Sequence, residues 1–289
     1  MRKIAIFILL ISTLVGCTHE NQSTNKKTIF VTITPLKSII AEITCNDFEI
    51  EVFVPKGASP ETYDPTAKQL TAASDAQMLF STGLINFEQQ LTSRLDGTTE
   101  IVDLSQGIEV LAGCCSHNHK HKHNHSHAHG IDPHIWTSPR ALQTMVRTAH
   151  SAIKRHYPDS AKYDTAADNL IARLEALDRY CEQSITNAGI KEMMIYHPAY
   201  TYYAHDYGID QIAIEQDGKD PSPRQLTTLV ERAKSNDIEA ILIQPQYDIN
   251  KVRAIADECG AEIVVTDPLS EDILLEIRSV TNKICNINE

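Results

Sequence analysis

Beyond residue 11, no stretch of this chain is apolar for the roughly 18 residues that a bilayer-spanning helix needs, so a transmembrane helix in the folded body is excluded. Basic residues are the minority, 26 Lys plus Arg against 38 Asp plus Glu. That balance is a poor match for a phosphate backbone, and nucleic acid drops out as a partner. A Gly-rich phosphate loop and a nucleophile motif are both missing, which argues against an enzyme. Between Pro158 and Gly189 there is neither proline nor glycine, so nothing there is bound to break a helix.

The first residues run from Arg2 and Lys3 through an apolar stretch, Ile4 to Ile11, to small and turn-forming residues ending at Gly16 and Cys17. That order reads as a secretory signal. Leu14, Val15, Gly16 and Cys17 resemble the bacterial lipoprotein box, in which the signal is cut before a cysteine that then receives lipid. The expectation is a signal over 1–17, lipidation at Cys17 and a polar, flexible tether over 18–28. The folded body then starts near Ile29 and holds about 260 residues, enough for two lobes with separate cores.

Seven cysteines are present, and an exported chain meets conditions in which pairs close. With Cys17 spent on lipid, the remaining six allow fifteen complete pairings. A bridge between Cys259 and Cys285, both late in one lobe, is favoured; Cys45, Cys114, Cys115 and Cys181 are left open.

Short β-branched or apolar runs at 29–34, 49–54, 77–80 and 100–102 alternate with helical stretches around 36–43, 67–73 and 87–95. The same alternation returns with strands at 193–196, 211–214, 240–243 and 262–265. Strands alternating with helices at this spacing predict parallel sheets covered by helices, hence an α/β protein of two lobes. A separate helix over 139–156 closes the first lobe. From Pro158 onward, Tyr163, Ala167, Leu170, Leu174, Leu177, Cys181 and Ile185 recur in steps of three and four, the signature of one buried helical face. One connecting helix over 158–188, roughly 42 Å long at 1.5 Å per residue, therefore joins a lobe at 29–157 to a lobe at 189–289. So stiff a connector permits only small hinge motion.

The segment 114–130 carries histidine at every second position: His117, His119, His121, His123, His125, His127 and His129. Neutral imidazole suits zinc, copper and nickel, so seven on one loop make a degenerate metal-capturing site. Only Lys, Asn, Ser and Ala are interspersed, with no large apolar residue to bury, so the loop does not pack as core. It lacks the fixed geometry of a primary site. Directly after it comes His134, within Asp132–Trp136.

The order of these features resembles the metal-binding family of substrate-binding proteins of ABC importers, the zinc and manganese receptors. The matching segments are PKGASPETYDP at 55–65, DPHIW at 132–136, HPAYTYYAHDYG at 197–208, IQPQY at 243–247 and TDPL at 266–269. The resemblance implies a metal held in an interlobe cleft by Glu61, His134, His197 and Asp267. It also implies delivery to an ABC permease, with the protein a monomer anchored by lipid on the extracytoplasmic side of a bacterial membrane, at the periplasm or the cell surface. Histidine at 197 and the His-rich loop fit the zinc branch of the family. Glu61 stands where the family usually has His, and a second carboxylate makes the site harder and leaves Mn2+ as the lesser alternative to Zn2+. Independently of family, His197 and Asp267 lie just past the ends of strands, where open α/β sheets bind ligands. Glu215, Asp217 and His205 are candidates for the surroundings of the site, and Tyr196, Tyr200, Tyr202, Tyr203 and Tyr207 for packing around the cleft. Two His and two carboxylates also suit a hydrolase, and the His-rich loop a surface metal store or adhesin; both are kept as lesser alternatives.

Overall fold

The computed structural model describes residues 26–95, 97, 99–113, 130–216 and 218–287. Cys17, Cys114, Cys115, Asp217 and the seven alternating histidines lie outside the described residues.

The chain alternates strand and helix. The first lobe runs β1 (Thr28–Val31), α1 (Thr34–Ile43), β2 (Glu49–Val52), α2 (Ala67–Ser74), β3 (Met78–Ser81), α3 (Asn86–Arg94), β4 (Glu100–Asp103) and α4 (Pro139–His156). After α5 (Ala161–Ala188), the second continues β5 (Glu192–Ile195), α6 (Thr201–Asp206), β6 (Asp210–Ala213), α7 (Pro223–Ser235), β7 (Ala240–Ile243), α8 (Asn250–Cys259), β8 (Glu262–Val265) and α9 (Ile273–Ile284). Each lobe holds a four-stranded sheet, in the orders β2-β1-β3-β4 and β6-β5-β7-β8. All pairings are parallel, with Ile29 opposite Ile50 and Met78 in the first sheet and Met194 opposite Ile212 and Ile241 in the second. The two-lobed α/β plan read from the sequence is the observed one; four of the eight strand starts move by one residue, and the first two strands end three and two residues earlier than expected.

Parallel sheets bury both faces, and the central strands show it: Met78 to Ser81 is buried throughout, whereas the edge strand β2 alternates exposed and half-buried residues. One continuous core joins the lobes. It runs from Ile29 and Phe80, through the buried face of α5, to Tyr203, Ile273 and Ile277. A second cluster lies on the other face of the second sheet, where Met194 and Ile241 meet Leu229, Val252 and Ile255. All seven positions named for the long helix are on its buried face. That face packs on α1 and α4 in one lobe and on α9 in the other. The helix starts at Ala161 rather than Pro158, because Pro158 falls in a turn in which the Ser160 amide donates to the Tyr157 carbonyl. It ends at Gly189, whose φ of 69° is a left-handed cap conformation that suits glycine.

The favoured bridge between Cys259 and Cys285 is not formed. All four described cysteines are free thiols. Cys259 ends α8 and packs into the second cluster, whereas Cys285 follows α9 and packs against the shared core. Side chains of successive strand residues such as Met193 and Met194 divide between those two clusters, so the sheet stands between the two sulfurs.

Candidate metal centre

Three loops converge at the cleft. Glu61 sits in a 3-10 turn, Pro60–Thr62, in the connection between β2 and α2. Its flank is fixed by Gln69, which closes a capping box with Thr66, donates to the Phe53 carbonyl at 2.8 Å and accepts from the Tyr63 hydroxyl at 2.7 Å. His134 precedes a 3-10 turn, Ile135–Thr137. Pro133 restricts the chain there, the His134 amide donates to Asp132 Oδ1 at 2.8 Å, and the Thr137 hydroxyl donates to the His134 carbonyl at 2.8 Å. Trp136, fully buried, fastens this segment to the other lobe by donating its indole N–H to the Pro268 carbonyl at 2.7 Å. His197 lies two residues past β5. Gln244, at the end of neighbouring β7, extends the strand ladder with its side chain, donating to the His197 carbonyl at 2.8 Å and accepting from its amide at 3.4 Å.

One donor atom from each of Glu61, His134 and His197 falls within 4.8 Å of the other two. His197 Nε2 stands 3.3 Å from Glu61 Oε1, and the two imidazole centroids are 5.3 Å apart. The histidines are buried and Glu61 lies at the exposed rim. Each imidazole gives its other nitrogen to a buried carboxylate: His134 Nδ1 to Asp132 Oδ1 at 2.9 Å, and His197 Nδ1 to Glu215 Oε1 at 2.6 Å. Such partners fix ring orientation and leave Nε2 for a metal. The space between the three donors is about 30 Å³ and open on one side, bordered by Gln244, Tyr247, Pro268 and Leu269 as well as by the donors themselves.

The electrostatics follow from this crowding. Burial alone would lower the His197 pKa, but Glu215 and Glu61 outweigh it and lift the group to about 9. Burial would raise Glu61 and Asp132; the hydrogen bond and charge of His197 hold Glu61 below its ordinary value, and His134 does the same for Asp132. Carboxylates held ionised around two nitrogen donors suit a divalent cation.

Asp267 is not in this group. Its Oδ1 accepts from the Leu269 amide at 3.0 Å, and it borders an adjoining groove with Thr34 and Lys56. The residue lies just past the end of β8, as the strand-end rule expects, and a short local turn uses one of its two carboxylate oxygens. Of the candidates for the surroundings, Glu215 touches His197. His205 is exposed, and its Nδ1 lies 3.9 Å from Asp206. Tyr196, Tyr200, Tyr202 and Tyr203 are buried, and Tyr207 is half-buried. Sequence reasoning passed over Asp132, Gln244 and Tyr247, although all three lie inside motifs already quoted. The signal for Asp132 was its place two residues before His134, across a proline.

Fold and site together define a two-lobed α/β protein with a metal-type donor cluster shared between its lobes. Residues 29–276 match the family model described as zinc-uptake complex component A, periplasmic (ZnuA), and the chain belongs to that family. It is 26% identical over 284 residues to the zinc-binding lipoprotein AdcA of Streptococcus pneumoniae, covering 93% of this chain and 56% of that protein. This chain thus spans little more than half the length of that relative. It is 28% identical over 256 residues to the high-affinity zinc uptake system protein ZnuA of Bacillus subtilis, covering 85% of this chain and 79% of that one. A crystal structure of ZnuA superposes with a TM-score of 0.80 at 29% identity, covering 91% of this chain and 99% of that one.

Proposed function

We propose that this chain is an extracytoplasmic zinc receptor that holds Zn2+ between its lobes and delivers it to the permease of an ABC importer. The observation that carries this reading is the convergence of Glu61, His134 and His197 from both lobes onto one point. Two imidazole nitrogens favour zinc over manganese, and a carboxylate oxygen is an acceptable zinc ligand at about 2.0 to 2.2 Å. The ligands proposed are Glu61, His134, His197 and Asp267; the first three converge within 4.8 Å, and Asp267, one of whose oxygens accepts from the Leu269 amide, completes the set. Lobes at 29–157 and 189–289, lipid attachment at Cys17 and a monomeric state complete the proposal. The protein is not an enzyme. The space between the donors, about 30 Å³, suits an ion, against the several hundred Å³ typical of small-molecule sites. Metal analysis of the purified chain, followed by competition of zinc with manganese, tests the reading. Zinc lost to modest excess manganese would refute it.

The Glu61→Gln variant keeps the size of the side chain and removes its charge, so zinc affinity should fall at least tenfold, about 1.4 kcal/mol. Glu61→His should keep tight binding and move preference further toward zinc. Calorimetric titration checks both, and a Gln variant as tight as the parent would reduce Glu61 to a rim carboxylate.

Deleting 117–129 should leave one tight zinc site and remove only weaker equivalents, because the three converging donors stand on ordered elements outside that segment. Loss of the tight event in calorimetry would make the segment a store and the lobes its scaffold.

A further inference from the structure

The two histidines of the cleft are oriented by different means. His197 and its carboxylate partner Glu215 both belong to the second lobe, so the bond that holds Nδ1 does not cross the lobe boundary, although Nε2 faces Glu61 of the first lobe. His134 and Asp132 belong to the first lobe, but Asp132 is itself held from the second. Its Oδ1 accepts from the His134 amide and from Nδ1, and its Oδ2 accepts from the Thr201 hydroxyl at 2.6 Å. Thr201 opens α6, four residues after His197. The Asp132 carbonyl accepts from the Tyr202 hydroxyl at 2.8 Å, and the Asp132 amide donates to the Leu111 carbonyl at 2.9 Å. Every polar atom of this residue, only 4% exposed, is therefore engaged.

The direction of the chain of bonds is set from its far end. The Tyr200 amide donates to Gln211 Oε1 at 2.9 Å, which turns the Gln211 NH2 toward Thr201 Oγ1 at 2.9 Å. With that lone pair of Thr201 used, its proton points at Asp132. Asp132 then has both oxygens fixed as acceptors, one for each lobe, and the His134 proton is held on Nδ1 with Nε2 left for the metal.

We infer that Asp132 is the positioning residue of His134 and that Thr201 sets its hold across the lobe boundary, so that parting the lobes loosens His134 and the site's grip on its metal. The inference rests on the proposed zinc site and adds an asymmetry to it: when the lobes separate, Glu215 keeps its place beside His197, whereas Asp132 loses the second-lobe anchor from which it holds His134. Release then begins on the first-lobe side, without a separate trigger.

The test uses the full mature chain and the rate of zinc loss to a chelator, followed by stopped flow. Thr201→Val removes the hydroxyl and should speed zinc loss by about tenfold, the lower end of the range for partners of metal-bound histidine. Thr201→Ser keeps the hydroxyl and should stay within about twofold of the parent. Asp132→Asn should also speed loss, and the Asp132→Asn, Thr201→Val double variant should be no faster than Asp132→Asn alone, because Thr201 acts through Asp132. With Co2+ in place of zinc, the visible absorption of Thr201→Val should differ from that of the parent and of Thr201→Ser. An unchanged rate in Thr201→Val, equal damage in Val and Ser, additive effects in the double variant, or an unaltered cobalt spectrum would each overturn the assignment. A parent that fails to hold zinc would overturn the receptor reading and this assignment with it, whereas a tight parent with an unaffected Thr201→Val overturns the assignment alone.

Discussion

Replacing His197 with alanine is expected to weaken zinc binding by a hundredfold or more. Structural zinc sites are worth roughly 10 to 16 kcal/mol over four ligands. One ligand thus accounts for about 3 kcal/mol, or two orders of magnitude. His197 has a further role, because it is the second lobe's member of the donor group and it stands between two carboxylates, 3.3 Å from Glu61 and 2.6 Å from Glu215. Alanine leaves the Glu215 side chain, 6% exposed, without its imidazole, so the metal-free protein should lose stability as well. The two effects separate by measurement. Competition with a fluorescent chelator reads affinity, and thermal melting without metal reads the fold. His205→Ala, whose side chain points out to solvent from α6, is the control and should leave both unchanged. A His197→Ala variant binding within about threefold of the parent would remove this histidine from the ligand set.

The parts of this site that were legible in sequence are those that depend on periodicity and chain position. Alternating runs of apolar residues marked the strands, and the three-and-four spacing from Tyr163 to Ile185 marked the buried face of α5. From the strands followed the place of His197 beyond β5, since crossover connections leave the strand ends facing the cleft. What could not be read was the choice each side chain makes among nearby partners. Asp267 is where the strand ends, and one of its two oxygens takes the Leu269 amide two residues on. Aspartate readily makes such local bonds, and the metal ligand and the turn acceptor look alike in a sequence. Cys259 and Cys285 are near in the lobe's element order, but a sheet separates them; facing is a property of packing, and spacing does not report it. Asp132 was hidden for the opposite reason, since its partners Thr201 and Tyr202 come from a segment about seventy residues away.

Zinc affinity is expected to rise close to tenfold per pH unit from about 6.5 toward 9. An ordinary histidine titrates near 6.5 and would bring affinity to a plateau just above neutrality. The cleft moves that plateau upward: burial would lower the His197 pKa, but Glu215 at Nδ1 and Glu61 at Nε2 outweigh it and lift it to about 9. At pH 7 the free protein then carries a proton on Nε2, directed at Glu61, and zinc binds only by displacing it. One proton released per zinc gives a slope of one in log affinity, or about a hundredfold across two pH units. The metal-free fold responds in the opposite sense. Because the folded pKa exceeds the unfolded one, the His197 contribution to stability is complete below about 6.5 and is lost as pH rises through about 9. The gain in melting temperature on adding zinc should therefore widen steadily across the same window. Calorimetry at pH 7.5 in buffers of different ionisation enthalpy counts the protons directly. A release near one supports a charged His197 between its two carboxylates, and a release near zero would mean that the imidazole is already neutral in the free protein. Glu61→Gln supplies the internal check: with one of the two carboxylates gone, the His197 pKa should fall and the plateau should move to lower pH, even though affinity at the plateau is weaker.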